Sequence, residues 1–415
     1  MATSVGGILR QYGPMVYLPS LVFAVGEGAL LPLIPVIATQ RGAGISTAAL
    51  VAAAPIVGSL CGNIPAGRLV GRVGERYAMV VAGALALLGA VACALLPGLV
   101  WFTAAVFVIG LAAAAFALAR HAFMATRVPL AYRARALSLL GGSTRFGMFT
   151  GPFLAAGLLA VFGTTTSSLW FFATLMLALV VLVFLGPDPE EQARAAEPPA
   201  VPEPGAPRPD GVFAAIWRSR RVLSRMGVAC MLLAAVRAAR QVVLPLWGVS
   251  IGMDASTIAV VVGISGALDF ALFYASGQVM DRYGRLWAAL PAMVLMGSGF
   301  LILSFTHDAG DAAAWFTGLA GLLGLANGLS SGILMTVGAD LAPAGSPASF
   351  LGAWRLFTDT GSALAPVTVG AVAAAASLPL ATGMVGALGL LGAAGLLRWG
   401  PRFLPHHGSR ENNSP

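Results

Sequence analysis

Twelve apolar runs of close to twenty residues leave few folds open to this chain. The first six lie at Met15–Ala38, Thr47–Ala66, Tyr77–Pro97, Val100–Phe123, Ala134–Ala160 and Ser168–Gly186. The second six lie at Met226–Leu246, Thr257–Gly277, Leu286–Thr306, Ala314–Ala339, Ser349–Ala371 and Leu378–Leu397. A helix of about twenty apolar residues crosses the ~30 Å hydrocarbon core of a bilayer. Composition agrees: 58% of the 415 residues are hydrophobic and only 10% are charged, against roughly a quarter in soluble domains. A soluble enzyme, a nucleic-acid binder and a disordered chain are excluded together. The expected fold is an all-α integral membrane protein of twelve transmembrane helices.

The net charge of +8 comes entirely from arginine, since the sequence contains no lysine. With the N-terminus placed inside, eighteen of the 24 basic residues fall in inner loops and tails and only Arg41 falls outside. Such a bias orients a membrane protein with its basic loops in the cytoplasm. Both termini, the linker Pro187–Asp210 and the tail His406–Pro415 are therefore expected to be cytoplasmic. The charge calls for no nucleic acid. Trp101, Trp170, Trp247 and Trp315 fall at outer span ends, where an aromatic belt is expected. Cys61, Cys93 and Cys230 sit in apolar stretches and signal neither a disulfide framework nor a metal site.

The chain also repeats itself. At an offset of 210, Pro35, Gly42, Ser46-Thr47, Gly67, Arg72 and Gly74 match Pro245, Gly252, Ser256-Thr257, Gly277, Arg282 and Gly284. At an offset of 214, Thr144, Gly147 and Pro152 match Thr358, Gly361 and Pro366. Two homologous halves imply two pseudo-symmetric six-helix bundles around a central cavity, residues 1–186 and 223–398. A Pro-, Glu- and Ala-rich linker, 187–222, joins them and a tail, 399–415, follows.

Two motifs carry a family resemblance. Gly277-Gln-Val-Met-Asp281-Arg282-Tyr-Gly284-Arg285 resembles the G-x-x-x-D-R-x-G-R loop signature of the major facilitator superfamily. The first-half copy, Gly67–Arg76, has Gly71 in place of the aspartate, with Arg72 and Gly74 kept. Gly147-x-x-x-Gly151-Pro152 resembles the helix-five motif of that family's proton-coupled antiporters. The resemblance implies that helices one, two, four, five, seven, eight, ten and eleven surround the cavity. It also implies a gating role for the loop motifs. Without an aspartate at Gly71, Asp281 is expected to meet the N-terminus of helix five around Ala134–Leu137, making the inner gate asymmetric.

Ionisable residues near mid-span are costly and default to function. Glu27, Asp269 and Asp359 are the candidate proton-coupling residues, with Arg145, Arg237, Arg240 and Arg355 as their charge partners. Glu27 and Arg237 are repeat equivalents, as are Arg145 and Asp359. Because the family's packing brings helix one near five and seven near eleven, the expected pairs are Glu27–Arg145 and Arg237–Asp359. Arg120 and His121 read as headgroup anchors at an inner helix end. Met148, Phe149, Gln241, Phe270, Phe273, Asn327 and Trp354 are the candidate cavity lining.

No nucleotide-binding loop, zinc-protease motif or nucleophile elbow is present in the sequence. The reading is a secondary active transporter that exports small amphipathic compounds in exchange for protons. It is expected to act as a monomer in a bacterial inner membrane, with the proton gradient as energy source and no cofactor or metal. An anionic metabolite or lipid is the alternative cargo. A membrane receptor or enzyme comes last.

Overall fold

The computed structural model describes residues 16–127, 130–186, 216–343 and 347–403. Both the linker Pro187–Asp210 and the tail His406–Pro415 lie outside the described residues, as does the side chain of Asp281 and hence its expected cap on helix five.

Twelve long helices run through the described residues. In the first half, α1 is Leu18–Gln40, α2 is 45–73, α3 is 75–95, α4 is Leu99–Arg127, α5 is Leu130–Phe162 and α6 is Thr166–Leu185. In the second half, α7 is Val228–Ser250, α8 is Ala255–Tyr283, α9 is Arg285–Ser304, α10 is Ala312–Leu341, α11 is Pro347–Ala375 and α12 is Leu378–Phe403. Among the described residues, eleven helical runs are long and apolar enough to cross a membrane. The remaining helix, α11, has the length, but Arg355, Thr358, Asp359, Thr360 and Ser362 make its middle polar.

The repeat is visible in the backbone. Gly42 and Gly252 take positive φ, 88° and 77°, at the turns that end α1 and α7. Gly74 and Gly284, at φ 81° and 96°, make the sharp turns between α2 and α3 and between α8 and α9. A side chain is strained in that region and glycine is not. These turns also revise the boundaries: the motif segments Gly67–Arg72 and Gly277–Arg282 are helical rather than loop, and only one glycine breaks each. An arginine just after each turn ties it down. Arg76 donates to the carbonyls of Val183, Phe184 and Gly186 at the end of α6. Arg285 pairs with Asp340 at 2.9 Å. At the opposite face Arg41 caps α3 through the carbonyls of Cys93 and Leu96 and lies 4.6 Å over the Phe102 ring.

Lipid offers no hydrophobic drive for helices to associate, so close backbone packing carries much of the fold. Small residues supply it. A Cβ on Gly151 would overlap the backbone of α1 at Val25, Gly28 and Ala29, and one on Gly147 would meet Ala24 Cβ at 2.7 Å. Gly361 seats α11 on α7 at the Met231 carbonyl. Gly110 seats α4 on α2 at Pro55, and Gly324 seats α10 on α8 at Ser265. Helix one thus lies on five, and seven on eleven, as the resemblance implies.

Two helices are interrupted. A 3-10 turn at Leu31–Leu33, with Pro32 and Pro35, bends α1. In α10 the helix stops at Leu329 and resumes at Ile333, with Gly332 left-handed at φ 77°. The carbonyls freed there are not wasted: Leu329 and Ser331 accept from Ser276 Oγ, and Ser330 accepts from Arg237. Irregular backbone at membrane depth is tolerated when it is satisfied in this way.

Of the four tryptophans expected at outer span ends, Trp101, Trp170 and Trp315 are half exposed, as a belt requires. Trp247 departs from that expectation. It is fully buried against His307 in the turn between α9 and α10, with ring centroids 5.3 Å apart.

Candidate functional site

Two cavities lie between the halves. The larger, about 780 Å³, is walled by residues of α1, α2, α4, α5, α7, α8, α10 and α11. The smaller, about 350 Å³, lies among α1, α2, α4, α7 and α11. At the arginine-poor face the halves touch. Ser46 Oγ donates to the Ala373 carbonyl at 3.2 Å, and its repeat equivalent Ser256 Oγ donates to the Ala156 carbonyl at 3.4 Å. Leu50 fills the space beside Gly370, and Phe153 that beside Gly263. Toward the arginine-rich face the larger cavity reaches Leu137, Leu334 and Met335, the last 68% exposed. The structure is open at the arginine-rich face and closed at the other.

Asp269 on α8 is the centre of the larger cavity's polar wall. Its Oδ1 accepts from Arg145 Nη1 at 2.9 Å, and its Oδ2 from Asn327 Nδ2 at 2.6 Å, with Arg240 Nη2 at 3.6 Å. Arg145 belongs to the first half and Asp269 to the second. Among the described residues this is the one ion pair that joins them. Arg237 extends the network, donating from Nε to Asn327 Oδ1 at 2.9 Å. Arg240 Nη1 donates to Ser265 Oγ at 2.8 Å, while its Nε is buried without a partner.

These partners correct the expected pairs. Arg145 meets Asp269, not Glu27, and Arg237 meets Asn327, not Asp359. The reason is helical geometry. Arg145 precedes Gly147 by two residues, and Asp359 precedes Gly361 by two, which turns each charge about 200° from the glycine seated on the neighbouring helix. The α1–α5 and α7–α11 seams are closed at backbone distance and hold no room for an ion pair. Asp359 instead faces Arg355 one turn back, at 3.4 Å, and both line the smaller cavity.

Glu27 also lines the smaller cavity, and the charge that acts on it is Arg120. Arg120 and His121 are therefore not simple headgroup anchors: Arg120 walls both cavities and His121 the larger one. Counting residues along α4 puts them near the inner end, but the open state exposes that end to the cavity. Arg120 Nη1 donates to Thr144 Oγ1 at 3.1 Å. Of the expected lining, Met148, Phe149, Gln241 and Asn327 are on the walls. Phe270, Phe273 and Trp354 are not. Phe270 stacks behind Phe149 with centroids 5.2 Å apart. The Phe273 ring lies under the Arg145 guanidinium at 4.8 Å. Trp354 is buried and donates from Nε1 to the Leu334 carbonyl. The break in α10 was not anticipated; Gly328-Leu-Ser-Ser-Gly332 is the signal that marks it.

The sequence from residue 16 to 366 matches the family model of the Major Facilitator Superfamily, and the chain belongs to that family. It is a transporter rather than an enzyme. Its fold is similar to that of a POT family transporter solved with a thioalcohol-conjugated peptide, at TM-score 0.75 and 10% identity, covering 95% of this chain and 96% of that one. A POT family transporter solved with 5-aminolevulinic acid gives TM-score 0.74 at 10% identity, with the same coverage. A D-xylose-proton symporter gives 0.67 at 16% identity, covering 94% and 96%. No curated protein matches the chain.

Proposed function

We propose that the protein exports a small amphipathic compound in exchange for protons, by alternating access of the cavity between its halves. One observation carries the reading: a cavity of about 780 Å³ with a polar wall, closed at one face and open at the other. That volume suits a drug-sized molecule. Met148, Phe149, Leu137 and Leu334 offer it apolar surface, and the Asp269 cluster offers charge. Proton coupling is assigned to Glu27. It feels the Arg120 charge and, among the described residues, its carboxylate makes no ion pair or hydrogen bond. Asp269 and Asp359 are the other titrating candidates. The Gly147-x-x-x-Gly151-Pro152 element, seated on α1, favours antiport over the symport named for the xylose carrier. The arginine bias places both termini in the cytoplasm, and the setting is a bacterial inner membrane with the monomer as functional unit.

Proteoliposomes under an imposed pH gradient test this with cationic, neutral and anionic dyes. Antiport predicts dye movement opposite to the proton flux. Glu27→Gln abolishes the gradient's effect and spares dye binding. Movement with the protons would replace antiport by symport, and undiminished coupling in Glu27→Gln would move the proton role to Asp269 or Asp359.

A further inference from the structure

Charge is distributed unequally between the two cavities. The smaller is balanced, with Glu27 and Asp359 against Arg120 and Arg355. The larger has Arg120, Arg145, Arg237 and Arg240 on its walls and a single carboxylate, Asp269. Guanidinium groups held away from water are expensive unless paired, and here three crowd one aspartate. Arg237 finds neutral acceptors in Asn327 and the Ser330 carbonyl. Arg145 and Arg240 share Asp269, and Arg240 keeps a buried N–H without an acceptor. Beside them Phe149 presents a ring to the cavity, backed by Phe270 and set edge-on to Phe146.

We propose that the cargo of this cavity is a small organic anion with a flat apolar body. Its carboxylate or phosphate takes the place of Asp269 on Arg145 and Arg240, and its ring lies against Phe149. The inference rests on the transport reading above and narrows it to one class of substrate. A planar guanidinium presents a fork that matches carboxylate and phosphate oxygens, and the Phe273 ring holds that of Arg145 in place from behind. Cargo entry therefore breaks the ion pair that joins the halves, so that binding and the loosening of the α5–α8 seam are one event.

Binding to the purified full chain in detergent, with no gradient, tests this using 2-naphthoate, 2-naphthyl phosphate, 2-naphthamide and 2-naphthylmethylammonium. At least one of the two anions should bind about tenfold or more tightly than the amide, as a hydrogen bond to a charged group implies, and the cation should bind more weakly than either. Which anion binds better separates carboxylate from phosphate cargo. Arg145→Gln should lose the preference for anions. Asp269→Asn should strengthen anion binding, because it removes the competing carboxylate; a substrate cation held by Asp269 would be lost in the same variant. Thermal stabilisation of the unmutated protein by the anions but not the cation provides the same reading without a variant. Equal binding of amide and anions, or preference for the cation, overturns the proposal and leaves the transport reading standing. Anion binding without any flux in proteoliposomes would overturn the transport reading instead.

Discussion

Asp269 illustrates what a single carboxylate does at membrane depth. It pairs with Arg145 across the seam between the halves and stands beside Arg240 of its own half. Removing it strands two guanidiniums. Breaking a fully buried pair costs ~3–5 kcal/mol. With Arg145 and Asp269 side chains still 23% and 15% exposed, Asp269→Ala should cost on the order of 2–3 kcal/mol after discounting for screening. Adding Arg145→Gln to that variant should restore part of the melting temperature, and a double variant whose loss is the sum of the two single losses would show that the pair carries no coupling. Asp254 gives a simpler case at the arginine-poor face. It caps α8 by accepting from Thr257 Oγ1 at 2.6 Å and Thr257 N at 2.9 Å, and these bonds hold its carboxyl below the usual range. Its contribution is present above the ordinary aspartate range and disappears as pH falls through the depressed value. Asp254→Ala should cost about 1 kcal/mol at neutral pH and progressively less in acid, as read from detergent melting curves. The sequence placed ionisable groups in the right helices, because their cost at mid-span is a property of residue and depth alone. It paired Glu27 with Arg145 and Arg237 with Asp359 wrongly, though Arg240 does stand beside Asp269, because pairing depends on which helix face meets which neighbour. Gly147 and Gly361 held that information: a residue two positions from a backbone-contact glycine points away from it.

Helices in this fold are positioned by where a side chain is missing. Gly151 meets α1, and Gly361 meets α7, against backbone that has no freedom to retreat. Gly151→Leu or Gly361→Leu should destabilise by about 1–3 kcal/mol or more through overpacking. Gly141 and Gly71 have open space where a Cβ would stand. Gly141→Ala should therefore be neutral or gain up to ~1 kcal/mol from helix propensity. Equal losses at Gly151 and Gly141 in thermal unfolding would contradict the packing argument. The number and order of helices were legible because apolar length is a direct demand of the bilayer. The interruption of α10 was not, since Ser330 and Ser331 are only mildly polar and a run of apolar residues continues on both sides. Its meaning appears only with Arg237 and Ser276 in place to donate to the freed carbonyls.

At the level of the whole molecule, the repeat predicted two equivalent halves, and the equivalence extends to the serines that close the arginine-poor face. Ser46 on α2 and Ser256 on α8 make the same kind of bond to the opposite half. Cross-linking Ser46→Cys to Ala373→Cys should hold the structure in its present state and stop transport while leaving binding from the arginine-rich face intact; unimpaired flux after complete cross-linking would show that this seam does not open. The state itself was hidden from the sequence, because two arrangements of the same helices share one hydrophobic pattern. Accessibility of the cavity from alternate faces is the claim on which the rest depends. It is tested by placing one cysteine at Thr144, with Cys61, Cys93 and Cys230 replaced, and adding a membrane-impermeant maleimide to vesicles of either orientation. At rest the label should reach Thr144→Cys from the arginine-rich face alone, and an imposed proton gradient should make it reactive from the arginine-poor face. Labelling from one face under every condition, or from both at once, would contradict alternating access.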